Sequence, residues 1–347
     1  MNEENQPPST AKFAKKKVFR KKESREISID HMVQGIKKGD RMALSRGITL
    51  VESQAKRHRD LANNLVHELL PNAGNSLRIG VTGVPGAGKS TWIESFGKKL
   101  VDLGNRVAIL AIDPSSTLSG GSILGDKTRM EQLSHHPNVF IRPSATAGTL
   151  GGVHRMTRET IVLCEAAGFD RIIVETVGVG QSEVVVRGMV DFFMLLALTG
   201  GGDELQGMKK GIMELVDAVI VNKADGNNKE HAIRGAAEYK QLLHYVHPAT
   251  PGWETKAFAC SAIEGFGMDD VYQMTQQFYD ETLENGVLKE RRAGQSLDWM
   301  KQMIHNRLLD DFLQENNRSK KLKDLQLQVK SGDITPAQAV EMLFLKE

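Results

Sequence analysis

Residues 83–90 read Gly83-Val84-Pro85-Gly86-Ala87-Gly88-Lys89-Ser90, the full pattern of a phosphate-binding P-loop. Glycines at those positions let backbone N–H groups converge on phosphate oxygens, and a helix starting near Lys89 adds positive potential at its N-terminus. The Lys89 ammonium is then placed to reach β- and γ-phosphates. The Ser90 hydroxyl is placed to bind Mg2+, with Thr91 next along the same first turn. Magnesium on a nucleotide takes one or two protein carboxylates, directly or through its waters, so acids at strand ends near this loop are the candidates. Asp113 closes one apolar run and opens Asp113-Pro114-Ser115-Ser116. Asp126 follows in a segment rich in glycine (Gly120, Gly121, Gly125), and Glu175 closes another apolar run. Glutamate is one methylene longer than the aspartate usual at that last position, which points to contact with metal-bound water.

The base is indicated separately. Asn222-Lys223-Ala224-Asp225 matches Asn-Lys-x-Asp. A carboxylate at its end accepts hydrogen bonds from guanine N1–H and the 2-amino group, whereas adenine has an unprotonated N1 and no 2-amino group. Further on, Cys260-Ser261-Ala262 resembles the segment whose backbone meets guanine O6, which adds Ser261 and Ala262 to the nucleotide-binding set.

These residues need a scaffold that brings strand ends together. Short apolar runs at 77–82, 106–112, 139–142, 171–175, 192–198, 218–222 and 256–260 alternate with helical patterns. That alternation predicts an α/β fold with a mostly parallel sheet covered by helices on both faces, and ligands of such sheets sit at the carboxyl ends of the strands. Four parts are expected. Residues 1–26 form a basic tail with too few apolar side chains to pack, expected to be disordered. Residues 27–75 form a helical lead-in, with Met32, Val33 and Ile36, then Met42, Leu44, Ile48 and Val51, then Leu61, Leu65 and Leu69 at helical spacing. Gly39-Asp40 supplies a break and an N-cap, and Pro71-Asn72 a stop. Residues 76–286 form the nucleotide-binding domain. Residues 287–347 form a C-terminal helical appendage, with a stripe at Leu297, Met300, Ile304, Leu308 and Phe312 and a capped last helix at Thr335-Pro336 with Gln338.

The chain of 347 residues carries 45 Lys and Arg against 43 Asp and Glu, so no global charge calls for nucleic acid or an anionic membrane as partner. Cys164 and Cys260 are the only cysteines and lie far apart, which excludes a disulfide framework and Cys-rich zinc patterns. No apolar run approaches the ~18 residues of a membrane span, and the N-terminus lacks the apolar core of a signal peptide. A cytoplasmic protein is expected.

The P-loop, Asp113-Pro114-Ser115-Ser116, Gly125-Asp126-Lys127-Thr128-Arg129-Met130, Glu175-Thr176-Val177-Gly178-Val179-Gly180-Gln181, Gly202-Asp203-Glu204-Leu205-Gln206-Gly207 and Asn222-Lys223-Ala224-Asp225 occur in one order. That order resembles the MeaB/ArgK family, G-protein chaperones of adenosylcobalamin-dependent methylmalonyl-CoA mutase and related acyl-CoA mutases. The resemblance runs from about residue 29 to the C-terminus. It implies a GTPase in the branch that also holds signal-recognition and metal-insertion GTPases, with GTP/GDP and Mg2+ as ligands. Residues 113–130 then correspond to switch I, 175–183 to switch II, and 200–211 to a third switch that communicates with the mutase. Lys89, Asp113, Asp126 and Glu175 match the family's nucleotide and magnesium site. The resemblance further implies a homodimer through the C-terminal helices, with a cobalamin adenosyltransferase as a possible further partner. Thr199 departs from the pattern, standing where proline is expected before the glycines of the third switch.

Gln181 is the candidate to orient the attacking water, although it lies three residues beyond Gly178 and not directly after it. Without an evident arginine finger in the chain, intrinsic turnover is expected to be slow, on the order of ~10⁻⁴ to 10⁻² s⁻¹, and to rise when a partner orders the switches. Two other readings compete. A metal-insertion GTPase needs Cys/His ligands, and neither His135-His136 nor His244 with His247 has a Cys or a third clustered His. A P-loop kinase of a small molecule or transport protein needs an acceptor pocket, and Asn222 to Asp225 would be an odd way to hold ATP.

Overall fold

The computed structural model describes residues 28–53, 55–113, 130–145, 150–176, 182–199, 210–314 and 317–345. The basic tail at 1–26, Asp126, Gln181 and residues 200–209 of the third switch lie outside the described residues.

Seven parallel strands among the described residues form one sheet: β1 (Leu77–Gly83), β2 (Val107–Asp113), β3 (Val139–Ala145), β4 (Arg171–Thr176), β5 (Phe192–Ala197), β6 (Ala218–Val221) and β7 (Lys256–Ala259). Their order is β3-β2-β4-β1-β5-β6-β7. Successive side chains of a strand point to opposite faces, so an apolar run buried on both sides makes two cores. Ile79, Val81, Ile109, Ile173, Met194, Leu196 and Ile220 face one core with Trp92, Phe96 and Phe278. Leu110, Ile172, Val174, Phe193, Leu195 and Val219 face the other with Ile36, Leu65, Leu163 and Tyr239. The expected α/β class is the observed one.

The first core is covered by α4 (Lys89–Asp102) and α10 (Met268–Glu284). The second is covered by α1 (Ile29–Lys37), α2 (Arg41–Val51), α3 (Lys56–Leu69), α6 (Leu150–Ala166) and α9 (Lys229–Leu243). Shorter helices connect the layers: α5 (Glu131–Ser134), α7 (Ser182–Arg187) and α8 (Lys210–Met213). Asp40 caps α2 as the sequence indicates, its Oδ1 accepting from Met42 N at 2.7 Å and Ala43 N at 3.3 Å. Met42 is not a core residue: it is 62% exposed, because the buried stripe of α2 runs through Leu44, Ile48 and Val51, and Met42 lies off that face.

At the amino edge of the sheet, charge holds the layers together. Asp217, fully buried just before β6, accepts from Arg187 Nη1 at 2.7 Å, from Phe193 N at 2.9 Å and from the Thr250 hydroxyl. Asp191, fully buried before β5, accepts from Arg292 Nε at 2.8 Å and from Arg78 N at 2.9 Å. Arg78 also donates through Nε and Nη2 to Glu165 at 2.8 and 2.9 Å. Arg291 and Arg292 lie in the second turn of α11 (Val287–Gln314), and Gln295 Nε2 about one turn later donates to Val190 O at 2.8 Å. This 28-residue helix is thus anchored at its start, while Leu297, Met300, Ile304 and Leu308 further along are each more than half exposed. The chain returns through α12 (Arg318–Ser331) and α13 (Pro336–Phe344), where Phe344 packs on Phe312 at 4.5 Å between ring centres. The expected capping box of Thr335 and Gln338 is formed.

Candidate nucleotide site

β1 has β4 on one side and β5 on the other, and the chain leaves β1 to build both halves of the sheet from there. The crevice at such a reversal of strand order, outside the carboxyl ends, is where open α/β sheets hold ligands. The loop between β1 and α4 leaves from that point. Gly86 and Gly88 have φ of 83° and 82°, backbone that L side chains adopt only with strain. At Gly88 space is short as well, since a Cβ would lie 3.0 Å from Asn222 Nδ2.

Lys89, the first residue of α4, folds its side chain back over the loop, where Nζ donates to Gly83 O at 2.8 Å and Val84 O at 3.3 Å. Burial lowers its pKa, and the nearby Glu175 charge opposes that shift. A half-buried ammonium whose hydrogen bonds among the described residues go to neutral carbonyls gains by meeting phosphate oxygens, because charge-assisted bonds are the stronger ones. Ser90 Oγ donates to Glu175 Oε1 at 3.2 Å, so the hydroxyl of the loop and the carboxylate ending β4 stand together. Beneath them Thr176 Oγ1 donates to Thr82 Oγ1 at 2.9 Å, closing the gap between β4 and β1. Asp113 ends β2, paired in register with Ala145 one position beyond the Ile112–Ser144 pair, which puts it on the same carboxyl edge as Glu175. Thr91 is exposed on the first turn of α4.

The second motif leaves β6 beside this loop. Asn222 Nδ2 donates to Ala87 O at 2.8 Å, tying it directly to the P-loop. The buried Asn222 Oδ1 has no hydrogen-bond partner among the described residues, an arrangement that costs about 1–3 kcal/mol unless a donor arrives. Lys223 is exposed, with φ of 63°. Asp225 Oδ1 accepts from Ser261 Oγ at 3.2 Å, which fixes the carboxylate against the 260–262 segment. That segment is fixed in turn by Ala224 N donating to Cys260 O at 3.0 Å and by Glu264 N donating to Ser261 Oγ at 3.0 Å. Burial pushes the Cys260 thiol up to about 11, so it is a packing residue and not a nucleophile.

The structure therefore brings Gly83 to Ser90, Glu175, Asn222 to Asp225 and Ser261 to one edge of the sheet. The arrangement offers backbone donors and a cation for phosphates, a hydroxyl–carboxylate pair suited to a hydrated divalent ion, and a carboxylate for a base edge. Sequence reasoning missed Asn228, whose Nδ2 donates to Lys223 O at 2.6 Å, and Glu264, whose Oε1 accepts from Gly226 N at 3.2 Å. An asparagine a few residues after a turn-forming glycine was the available signal for the first. His136, one of the weighed metal candidates, acts locally: its Nδ1 accepts from Asn138 N at 3.1 Å.

Comparison with known proteins covers most of the chain. Residues 44–317 match the family model described as the methylmalonyl Co-A mutase-associated GTPase MeaB. A probable GTPase of Mycobacterium tuberculosis is 48% identical over 317 residues, 91% of this chain and 94% of that protein. The mitochondrial methylmalonic aciduria type A homolog of Mus musculus is 44% identical over 326 residues, 91% of this chain and 79% of that protein. A solved structure described as an LAO/AO transport system kinase superposes with a TM-score of 0.71 at 34% identity, covering 91% of this chain and 96% of that one. With a family match over most of its length and near-half identity to a GTPase across nearly all of it, the chain belongs to the MeaB family and is a P-loop GTP hydrolase.

Proposed function

We propose that the chain is a Mg2+-dependent GTPase whose nucleotide state gates cofactor delivery to, and protects, an adenosylcobalamin-dependent acyl-CoA mutase, with methylmalonyl-CoA mutase the foremost candidate. The nucleotide half of this reading is carried by the Asn222 Nδ2 to Ala87 O bond, which fuses a phosphate-binding loop and a guanine-reading motif into one site. The partner half is supported by the family description and by the mutase-related name of the mouse relative.

In this reading the backbone of residues 83–88 and Lys89 cradle the phosphates, with Thr91 on the same turn. Asp225 accepts from the guanine N1–H and 2-amino groups, Lys223 covers the base, and the 261–262 backbone meets O6. The Asn222 Oδ1, unpaired among the described residues, and the Ser90–Glu175 pair are the features that fit a bound nucleotide and its metal. Ser90, Asp113, Asp126 and Glu175 are the residues assigned to hold Mg2+, which when bound neutralises developing charge on the phosphates. Glu175, through its bond to Ser90, keeps that hydroxyl oriented, and Gln181 orients the attacking water. The charged 200–211 segment, next in sequence after β5, is assigned to communication with the mutase. The protein works in the cytoplasm. The exposed stripe of α11, with residues 287–347 as a whole, forms a homodimer interface, and a cobalamin adenosyltransferase is a further partner.

GTP turnover measured alone and with the purified mutase tests the partner assignment. Stimulation of at least about tenfold is expected, since partners that order switch segments act by such factors or larger. Equal turnover in both would refute the chaperone reading while leaving the GTPase intact. A second reading, phosphoryl transfer to a small molecule or transport protein, is raised by the description of the solved relative as a kinase. Following labelled γ-phosphate decides between them, water as sole acceptor supporting hydrolysis. The dimer is checked by sedimentation: full-length protein should run as a dimer at micromolar concentration, and the double variant Leu297→Asp, Ile304→Asp as a monomer.

A further inference from the structure

Lys223 keeps a left-handed backbone, φ 63°, that costs an L residue roughly 1–2 kcal/mol. Among the described residues only Asn317 is another non-glycine with positive φ. The peptides on either side of Lys223 are pinned, Asn222 N donating to Ala197 O at 2.9 Å and Ala224 N to Cys260 O at 3.0 Å. Its own carbonyl accepts from Asn228 Nδ2 at 2.6 Å. The backbone N–H of Asn228 donates to Asp225 O at 3.0 Å. One residue thus grips the motif at both positions assigned to the base.

The other end of the same carboxamide is also engaged. Asn228 Oδ1 accepts from Thr199 Oγ1 at 3.0 Å. Thr199 lies two residues past the end of β5 and directly before residues 200–209. A carboxamide is a planar, two-ended group, so displacing Thr199 removes one restraint on its rotation and loosens the donor held against Lys223 O. Proline at position 199 could not make this bond. The hydroxyl that departs from the family pattern is the one that closes the chain of contacts from β5 to the base motif.

We propose that Asn228 is a positioning residue for guanine recognition, and that the Thr199 hydroxyl, acting through it, ties the base site to the segment that follows β5. This inference rests on the guanine reading of Asp225. Its ligand is the purine edge bearing N1–H and the 2-amino group, so losing the tether costs discrimination between bases as well as affinity.

The test compares dissociation constants of the full-length protein for GDP and for IDP, which lacks the 2-amino group, alongside thermal unfolding of each variant. Asn228→Ala should weaken GDP by about tenfold and shrink the GDP-to-IDP preference by a similar factor, the upper scale of one lost hydrogen bond. Thr199→Val should shift both in the same direction by about threefold, and Thr199→Ser, which restores the hydroxyl, should recover the wild-type preference. An unchanged GDP-to-IDP preference in Thr199→Val, or a serine variant as impaired as the valine one, overturns the proposal. If Asn228→Ala unfolds, the valine and serine pair decides alone. Asp225→Asn in the same assay separates the two levels. Loss of the preference there with none in Thr199→Val sinks only the tether, whereas a preference retained in Asp225→Asn sinks the guanine reading itself.

Discussion

At the amino end of the sheet Asp217 is enclosed by Arg187, Thr250 and the Phe193 amide, and Asp191 by Arg292 and the Arg78 amide. At the carboxyl end Lys89 rests on two backbone carbonyls and Ser90 leans on Glu175. Both regions bury charge, but they bury it with different partners. A buried carboxylate matched by guanidinium groups and amides cannot exchange its partners without stranding a charge in low dielectric. An ammonium held by neutral carbonyls exchanges them for phosphate oxygens at a gain. One sheet can therefore serve as both foundation and working edge: its amino end fixes α11 and the strand starts, and its carboxyl end keeps its charges available. The helix α7 ends on this foundation, with Arg187, its last residue, bound to Asp217.

The largest effect that could break this contrast is at the amino end. Asp217→Ala leaves the buried Arg187 without its carboxylate and should destabilise the fold by about 3–5 kcal/mol. The protein that remains folded should bind GDP with unchanged affinity. Chemical denaturation followed by nucleotide titration checks both halves, and a small stability loss with a large affinity loss would invert the comparison. Next in size is Lys89→Ala, for which GTP hydrolysis should fall by about a hundredfold or more, the scale of losing one preorganised donor to developing charge. The melting temperature of its nucleotide-free form should change little, because burial disfavours the Lys89 ammonium and offsets what its two carbonyl bonds contribute. A marked drop in melting temperature would show Lys89 to be part of the foundation. The smallest effect sharpens the picture of the loop. A Cβ at Gly86 meets nothing within 4 Å, so Gly86→Ala carries only the strain of φ 83°. About 1 kcal/mol is expected, seen as a roughly fivefold weaker GDP affinity with little change in folding.

The working edge was more legible in the sequence than the foundation. Gly83 to Ser90 and Asn222 to Asp225 announce themselves because phosphate and guanine recognition demand particular residue types at fixed spacing. The strands were visible as apolar runs, with ends shifted by one to three residues: β3 extends to Ala145, past Pro143, because its ladder to β2 continues through Ser144 and Ala145. The clamps at Asp191 and Asp217 were not singled out, since an acid before an apolar run looks like any solvated turn residue. Only the fold shows that Arg292 and Arg187, distant in sequence, converge on them. Asn228 was hidden for the same reason, its partners Lys223 and Thr199 lying on different segments. Met42 misled because helical spacing fixes a period and not which face of the helix turns inward. In α11, Leu297, Met300, Ile304 and Leu308 repeat at helical spacing and yet stay exposed, so there too the spacing showed a period and not which side is covered.

The central claim is that the carboxyl edge holds GTP through Asp225, and exchanging the base tests it most directly. The Asp225→Asn amide can donate to the 2-oxo group of xanthine while no longer accepting from the guanine 2-amino group. Hydrolysis by wild type and Asp225→Asn should therefore be measured with GTP and XTP in parallel. The structure predicts that the variant loses GTP turnover and gains XTP turnover; a variant that hydrolyses GTP as well as wild type and gains nothing with XTP would contradict it.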